Sequence, residues 1–322
     1  MFSAVHRELM RPDEAETAAR FGAAHVDTPR PSDPMPRAEA QFDALLPAEM
    51  AVRAESVGVR KSGLDSLRLF ALAVLAGAFI SIGAIFATTV SAGTGDAPFG
   101  IVRLLAGLAF SLGLVLVIVG GAELFTGNTL IVMAWASGKV SPGLVLRNWS
   151  IVYLGNLVGA LATAALMFVS GQYTFGDGSV GSAALAIGNA KAGLDFVPAV
   201  ALGIMCNALV CLAVWLTFSA RTTTDRILAI VPPIAAFVAA GFEHSVANMY
   251  FIPEAIAIRT LAPDRFWATI QRLPADYRNL TVEGFIANLV PVTIGNVIGG
   301  AVMVGIVYWF VYLRGSADRR LA

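Results

Sequence analysis

Two segments of the sequence each place one glutamate between long apolar stretches, in the same local pattern. Glu123 and Glu243 lie 120 residues apart, each in a Gly-x-Glu-x4-Asn motif that ends at Asn128 or Asn248. A carboxylate at lipid depth is costly unless it faces protein or water. Backbone that leaves the helix there is tolerated only beside a cavity or within protein. The pattern therefore predicts two broken helices along a substrate path.

The second motif also contains the only histidine of the apolar part of the chain. His244 follows Glu243 directly, whereas His6 and His25 lie in a polar head. Imidazole titrates near neutral pH, so we predict a proton-exchanging or anion-steering role, with a structural buried histidine as the alternative. Half-helices that restart near Asn128 and Asn248 would direct the positive ends of two dipoles toward the centre, which favours an anion. Alternatively, the two asparagines only cap helices.

The composition identifies the elements that carry these motifs. Hydrophobic residues make up 57% of the 322 residues and charged residues only 14%, far from the balance of a soluble domain. Four uncharged runs of the sequence are each long enough to span about 30 Å of hydrocarbon as a helix. These runs cover 69–95, 148–176, 196–220 and 284–313. The two interrupted stretches cover 104–138 and 227–253. The fold class predicted is an all-α membrane protein with six transmembrane helices, of which helices 2 and 5 are broken.

The third helix of each half supports an internal duplication. Gly155-Asn-Leu-Val-Gly159 matches Gly295-Asn-Val-Ile-Gly299, in the same order as the two glutamate motifs. A three-helix unit is odd, so its second copy must enter the bilayer from the opposite face as an inverted repeat. Chance recurrence of small-residue packing motifs is the alternative. The Gly-x3-Gly faces permit close helix contact, either within or between protomers.

Charge and local composition divide the chain into three parts. Residues 1–62 form a head, with a Pro- and charge-rich segment 1–38 that we expect to be disordered and an amphipathic helix at 42–57. The membrane domain covers 63–314, and 315–322 form a tail. Near the helix ends, ten Lys and Arg residues fall on the side of the head against six on the other. This bias predicts that both termini are cytoplasmic.

Several classes of protein lack their signature in this sequence. The formal net charge is zero, which argues against nucleic-acid binding. There is no phosphate-binding Gly-x4-Gly-Lys-Ser/Thr loop and no histidine–carboxylate spacing typical of a catalytic metal. A bis-histidine haem needs two imidazoles at membrane depth, and only one is present. Cys206 and Cys211 are five residues apart, so on one helix their side chains do not face each other well enough to form a disulfide. We expect no cofactor, no metal and no enzymatic activity.

The motif residues resemble those of the formate/nitrite transporter family, and within it the formate channels. The resemblance covers roughly residues 40–314. It is carried by Gly121-Ala-Glu-Leu-Phe-Thr-Gly-Asn128, Gly241-Phe-Glu-His-Ser-Val-Ala-Asn248, Phe42-Asp-Ala-Leu-Leu-Pro47, Pro98-Phe-Gly100, Ser111-Leu-Gly-Leu114, Ala213-Val-Trp215 and Pro291-Val-Thr-Ile-Gly-Asn296. It implies a homopentamer of aquaporin-like protomers, each with its own pore, in a bacterial inner membrane.

The resemblance also implies roles for individual residues. His244 would be the central pore histidine, in polar surroundings that include Glu243 and Asn207, and Lys191 would attract anions at a mouth. Lys191 as a solvated surface lysine is the alternative. The mobile loop at the second-helix break would consist of Leu124, Phe125 and Thr126. The apolar constrictions would be formed by Phe110, Leu114 and Phe237. Relatives also gate the pore with a helix equivalent to 42–57, in a pH-dependent way.

The function predicted is a channel or proton-linked carrier for small monovalent anions, formate before nitrite or hydrosulfide, with protons and membrane lipid as further partners. Proton transfer from His244 would let a weak carboxylate cross as the neutral acid. An aquaporin-type channel for neutral solutes is a second hypothesis, but neither break contains Asn-Pro-Ala. A membrane-anchoring subunit of a redox enzyme is the third hypothesis, and it would need haem or quinone ligands.

Overall fold

The computed structural model describes residues 44–315, all of which are helical or in loops. The α-helices are α1 Pro47–Ser62, α2 Ser66–Ser91, α3 Phe99–Gly120, α4 Phe125–Asn128, α5 Val132–Ala136, α6 Pro142–Ser170, α7 Ser179–Ala192, α8 Phe196–Ser219, α9 Thr223–Ala240, α10 Ser245–Leu261, α11 Asp264–Ile270, α12 Val282–Val297 and α13 Val307–Tyr312. A 3₁₀ turn, Thr129–Ile131, joins α4 to α5, and a π-helical segment, Ile298–Ile306, joins α12 to α13.

Six apolar helices of this region are long enough to span a membrane, as the composition predicts. They begin at residues 66, 99, 142, 196, 223 and 282, and the last of them runs continuously from α12 through the π segment into α13. The segment 1–38, the first two residues of the expected helix 42–57 and most of the tail lie outside the described residues.

The second and fifth transmembrane helices, which begin with α3 and α9, are both interrupted at the glutamate motifs, which confirms the predicted breaks. Gly121 directly follows the last residue of α3 and Gly241 directly follows the last residue of α9, with φ of 82° and 79°. Glycine adopts this left-handed conformation without steric cost, so each motif glycine stops its helix. The chain continues for three more residues in non-helical conformation and then restarts as α4 or α10. The motif thus carries both the stop and the polar residues that follow it.

Each copy of the duplicated unit contains one further helix in front of its three spans, whereas the sequence analysis predicts a unit of three helices. Helix α1 precedes the first three spans and packs against the turn and α5 that follow the first break. Helix α7 precedes the second three spans and packs against α10, which follows the second break. Helix α1 begins at Pro47, a residue suited to the first helical position, and the Leu46 N–H donates to the Glu49 carboxylate at 2.8 Å. It therefore begins and ends about five residues later than 42–57.

Small residues hold the spans together inside one chain. Gly155 and Gly159 of α6 lie against the backbone of α2, where an added Cβ at Gly159 would clash with the Val74 carbonyl. Gly295 and Gly299 make the corresponding contacts with α8. The sequence left open whether these faces pack within or between protomers. The structure places both sets within the protomer.

Candidate functional site

Two cavities open toward opposite ends of the helix bundle. The first, the head-side vestibule, has a volume of about 250 Å³ and is lined by α1, the first break and the C-terminal end of α8. The second, the loop-side vestibule, has a volume of about 450 Å³ and is lined by α7, the second break and the C-terminal end of α2. Because α2 begins just after α1 and spans 26 residues, its two ends lie about 39 Å apart. The two vestibules therefore enter the bundle from opposite faces.

A lysine–glutamate–asparagine network closes the inner wall of the loop-side vestibule. Lys191 on α7 donates to Glu243 Oε1 at 2.7 Å, and Asn248 Nδ2 donates to Glu243 Oε2 at 2.6 Å. Asn248 also donates to Asn288 Oδ1 at 2.7 Å, and Asn288 returns a bond to the Lys191 carbonyl at 2.8 Å. The buried carboxylate has a counter-charge and an amide donor, which offset the cost of its desolvation.

The head-side vestibule contains the same network built from the first copy. Lys61 on α1 donates to Glu123 Oε2 and to Asn128 Oδ1, both at 2.9 Å. Asn128 Nδ2 donates to Glu123 at 2.7 Å and to Asn148 Oδ1 at 2.9 Å, while Asn148 Nδ2 donates to the Lys61 carbonyl at 3.1 Å. Asn128 and Asn248 therefore bind glutamates and are not helix caps.

Sequence reasoning missed Lys61, Asn148 and Asn288, although the repeat carries a signal for them. Asn148 and Asn288 each stand seven residues before the first glycine of the matching Gly-x3-Gly pair. Lys61 and Lys191 are related by an offset of 130 residues, because the connections within the two copies differ in length. Extending the alignment of the two copies outward from the breaks would identify all three.

Two further asparagines satisfy the backbone at the breaks. Asn156 Oδ1 accepts the Phe125 N–H at 2.9 Å, and Asn156 Nδ2 donates to the Glu123 carbonyl at 3.0 Å. Asn296 does the same in the second copy, with the Ser245 N–H at 2.9 Å and the Glu243 carbonyl at 2.9 Å. Backbone groups that leave the helical ladder at membrane depth need such partners, so both breaks are held in a defined conformation.

His244 and Thr126 meet between the two vestibules. His244 precedes α10 as its N-cap, and its Nδ1 accepts the Ala247 N–H at 3.1 Å. Its Nε2 lies 3.1 Å from Thr126 Oγ1. Because Nδ1 is an acceptor, the neutral ring carries its hydrogen on Nε2 and donates toward Thr126. The imidazole is 3% exposed and the threonine 0%. His244 lines the loop-side vestibule, Thr126 lines neither cavity, and Leu124 and Gly127 beside Thr126 line the head-side vestibule, so this donor is buried between the two.

Asn207 holds Thr126 in place from α8. Its Nδ2 donates to the Thr126 carbonyl at 3.3 Å, to Thr129 Oγ1 at 3.2 Å and to the Asn296 carbonyl at 2.6 Å. Thr129 Oγ1 also donates to the Thr126 carbonyl at 2.6 Å. Asn207 lines neither vestibule and contacts the break through these bonds, and its place on the substrate pathway stays a prediction.

Apolar side chains flank this central pair on both sides. Phe110 and Phe237 line the loop-side vestibule with ring centroids 5.7 Å apart, and Phe237 stacks on His244 at 6.0 Å. Leu114, one turn after Phe110 on α3, instead lines the head-side vestibule together with Leu124. The three predicted constriction residues are 2–3% exposed and lie on the two approaches to the centre.

Phe125 is the exception among the predicted gating residues. Its ring packs against Tyr153 and Trp149 of α6, with centroids 4.9 and 6.2 Å away. It lines neither vestibule, because the α4 restart directs it into the bundle away from Thr126. Phe125 therefore anchors the break to α6, and its expected role in a mobile loop at the break stays a prediction.

The structure also contains a buried carboxyl that the sequence analysis passes over. Glu254 of α10 is 5% exposed, and its Oε2 has no hydrogen-bond partner among the described residues. It borders a small enclosed cavity together with Thr88 and Gln172. The carboxyl lies apart from both vestibules.

The thiols and possible metal ligands add no chemistry to the centre. Cys206 and Cys211 are buried and unbridged, as their spacing predicts. Among residues 44–315 there is no group of three His, Cys, Asp or Glu side chains that could hold a metal ion. What the centre offers is a buried hydrogen-bond donor between apolar approaches, which suits the transit of a small anion.

An inverted duplication with two broken spans and two opposed vestibules defines a helical membrane transport protein with an aquaporin-like protomer. The chain belongs to the formate/nitrite transporter family, since the model of the family described as "Formate/nitrite transporter" matches residues 48–310. The proteins of this family are transporters and channels, so the hypothesis of a redox-enzyme anchor has no support.

Curated relatives and solved structures agree with this assignment. The chain is 49% identical to the formate channel FocA of Escherichia coli K12 over 279 residues, which cover 86% of this chain and 98% of the relative. It is 41% identical to the formate channel FocB of the same organism, with 86% and 99% covered. A solved pentameric formate channel with formate bound superposes with a TM-score of 0.74 at 48% identity, covering 77% of this chain and 98% of that one.

Proposed function

We propose that this protein is a formate channel of a bacterial inner membrane, with its termini and head-side vestibule facing the cytoplasm. The observation that carries the proposal is the Nε2–H of His244 beside Thr126, buried between two vestibules. Formate is small, planar and monovalent, so one strong hydrogen-bond donor and a narrow dry passage suit it. The two relatives described above are formate channels, which supports formate over other anions.

The geometry supports passage in three steps. An anion enters a vestibule, passes the phenylalanine pair or Leu114, and reaches the centre, where the Thr126 hydroxyl and the His244 Nε2–H replace part of its hydration. The part of the chain that the structure describes offers hydrated cations apolar walls and no free carboxylate at this point, since Glu123 and Glu243 are paired with lysines. Selectivity then comes from the donors and the dry constrictions.

Proton exchange at His244 forms a second part of the proposal. The neutral ring can gain a proton only at Nδ1, which displaces the Ala247 N–H and costs about 1 kcal/mol of helix capping. The charged ring can then pass the Nε2 proton to formate, which leaves as neutral formic acid and crosses an apolar constriction at lower desolvation cost. The ring is then neutral with its hydrogen on Nδ1. Uptake of a proton at Nε2 and loss of the Nδ1 proton restore the starting tautomer and the bond from the Ala247 N–H.

Flux in proteoliposomes tests both parts of the proposal. Wild-type protein should transport formate at a rate that changes with pH, whereas His244→Asn should transport it with a flat pH profile. Thr126→Ser keeps a hydroxyl beside the imidazole and should keep the wild-type pH profile. No formate flux in the wild type would defeat the channel proposal. A pH profile unchanged in His244→Asn would defeat only the proton step.

Nitrite and hydrosulfide are the alternative substrates, because they share small size and single charge with formate. Competition of each anion against labelled formate in the same vesicles ranks them, and we expect formate to be preferred. Flux of glycerol without formate flux would instead support an aquaporin-type channel.

We also propose a homopentamer in which each protomer has its own pore. The similar solved structure is a pentamer, and lipid-facing helix surfaces carry many exposed apolar side chains that neighbouring protomers can cover. The mass of the detergent-solubilised complex, measured by light scattering with detergent subtracted, should equal five chains of 33.7 kDa.

A further inference from the structure

Among the residues that the structure describes, the walls of the two vestibules differ by one charged side chain. Lys61 and Glu123 are the charged residues of the head-side wall. The loop-side wall contains the matching pair, Lys191 and Glu243, and in addition Arg103 from α3. Each vestibule also meets the C-terminal end of one half-helix and the N-terminal end of the next, so helix-end charges balance alike on both sides.

Neither lysine adds a free positive charge to its vestibule. Lys191 is 2.7 Å from Glu243, with side-chain exposures of 17% and 4%, and Lys61 is 2.9 Å from Glu123, with 27% and 9%. At these distances in a poorly hydrated wall, each carboxylate cancels most of the field of its lysine. The net positive charge of the loop-side vestibule is therefore that of Arg103.

Arg103 is anchored but not neutralised. Its Nε donates to the Ala239 carbonyl at 3.2 Å, and its Nη2 donates to the Val238 carbonyl. It forms no ion pair with any acidic residue described in 44–315. A guanidinium has five N–H groups, so three remain after these two bonds. The carbonyls belong to the last turn of α9, which offsets only part of the charge.

Its position places those free donors ahead of the constriction. Arg103, Ala106 and Phe110 line the loop-side vestibule from one face of α3, at the i, i+3, i+7 spacing of a helix face. Seven residues correspond to about 10 Å along the helix axis. An anion bound at Arg103 would therefore lie outside the Phe110–Phe237 pair and on the same wall of the passage.

We propose that Arg103 is the anion-capture site of the loop-side vestibule, where its free N–H groups bind a small monovalent carboxylate before it reaches the phenylalanine pair. The proposal rests on the proposed channel function and assigns capture to the arginine, with Lys191 retained as the partner of Glu243. Entry from the head side has no equivalent site in the described residues, so capture is stronger from the loop side.

The test compares charge-removing and charge-keeping variants in proteoliposomes. Arg103→Gln should raise the formate concentration at half-maximal flux by about fivefold to tenfold and flatten its dependence on ionic strength. Arg103→Lys keeps the charge and should remain within about twofold of wild type. Arg265→Gln removes an exposed charge of α11, outside the vestibule wall, and should have no effect.

Each outcome decides the assignment. Equal impairment of Arg103→Gln and Arg103→Lys would overturn the assignment. Both variants lose the paired hydrogen bonds to the Val238 and Ala239 carbonyls, so the role of Arg103 would then be structural. Unchanged half-saturation in Arg103→Gln would overturn it as well. If Arg103→Gln does not assemble, the salt dependence of wild type and Arg103→Lys still decides: a half-saturation insensitive to salt in both is the contrary result. Failure of the channel proposal is distinguishable, since wild-type vesicles would then carry no formate at all.

Discussion

The two copies of the duplicated unit build the same frame and fill its centre differently. Each has a lysine on its first helix, a glutamate and asparagine at its break, and an asparagine that satisfies the restarted half-helix. At the residue before the restart, the first copy has Leu124 and the second has His244. The polar contacts that fix the two breaks are therefore common to both copies, whereas the imidazole that can exchange a proton is found at this position only in the second copy.

The largest effect should come from removing one lysine of the frame. Lys191→Met leaves the Glu243 carboxylate buried without its counter-charge, which should destabilise the protein by about 3–5 kcal/mol. Lys61→Met should cost less, because Glu123 and its lysine are more exposed. Thermal unfolding of the detergent-solubilised protein measures both. Recovery of stability in Lys191→Met/Glu243→Gln is the control, and equal losses in the two single variants would contradict the ranking.

A smaller and equal loss is expected when either break loses its asparagine. Asn156→Ala strips the Phe125 N–H of its acceptor, and Asn296→Ala does the same to the Ser245 N–H. Each unpaired buried N–H should cost about 1–3 kcal/mol. If the frame is symmetric, the two thermal midpoints should fall together. A loss confined to one variant would show that only one break needs this support.

Making the two helix caps alike should have a modest effect on stability. His244→Leu gives the second break the residue found in the first and removes the bond from the Ala247 N–H. The loss of the cap should cost about 1 kcal/mol, while formate flux should lose its pH dependence. Stability is followed by thermal unfolding and flux in vesicles. A variant that keeps the wild-type pH profile would place the titrating group elsewhere.

The smallest effect is expected at Glu254, an acidic residue that is not repeated in the first copy. Glu254 corresponds to Ala134 in the first copy, at the same offset of 120 residues. Its Oε2 is buried and has no partner within residues 44–315, so Glu254→Gln removes an acid that contributes no hydrogen bond there. The thermal midpoint should stay the same or rise slightly, which corresponds to a gain of less than about 1 kcal/mol in the free energy of unfolding. A clear loss of stability would reveal a partner for Glu254, and Gln172→Ala then tests whether that partner is the adjacent amide.

Much of the fold could be predicted because the membrane limits the choices. Uncharged runs long enough to span lipid identify the six helices, and the cost of Glu123 and Glu243 in lipid identifies the breaks. The N-cap role of His244 is harder, because it depends on the orientation of the ring relative to one backbone N–H. The partners Lys61 and Asn148 come from 62 residues before Glu123 and 20 after Asn128, and local periodicity carries no information at such separations.

The direction of the Phe125 ring could not be predicted from the sequence, for a different reason. The resemblance places Phe125 at the second-helix break beside Thr126, but side chains of neighbouring residues point in different directions as a helix restarts. Its ring consequently faces Tyr153 and Trp149. Placing a side chain on a wall requires the rotation of the half-helix, which the motif does not encode.

The widened turns at Ile298–Ile306 contain a second position at which the two halves differ. Gly300 lies so close to Thr129 and Asn207 that any β-carbon there would clash with both, whereas the matching position of the first copy is Ala160, in regular α-helix. The two halves have therefore ceased to be interchangeable parts. A chain assembled from two N-terminal halves would carry leucine in place of His244 and would place a β-carbon at position 300, against Thr129 and Asn207.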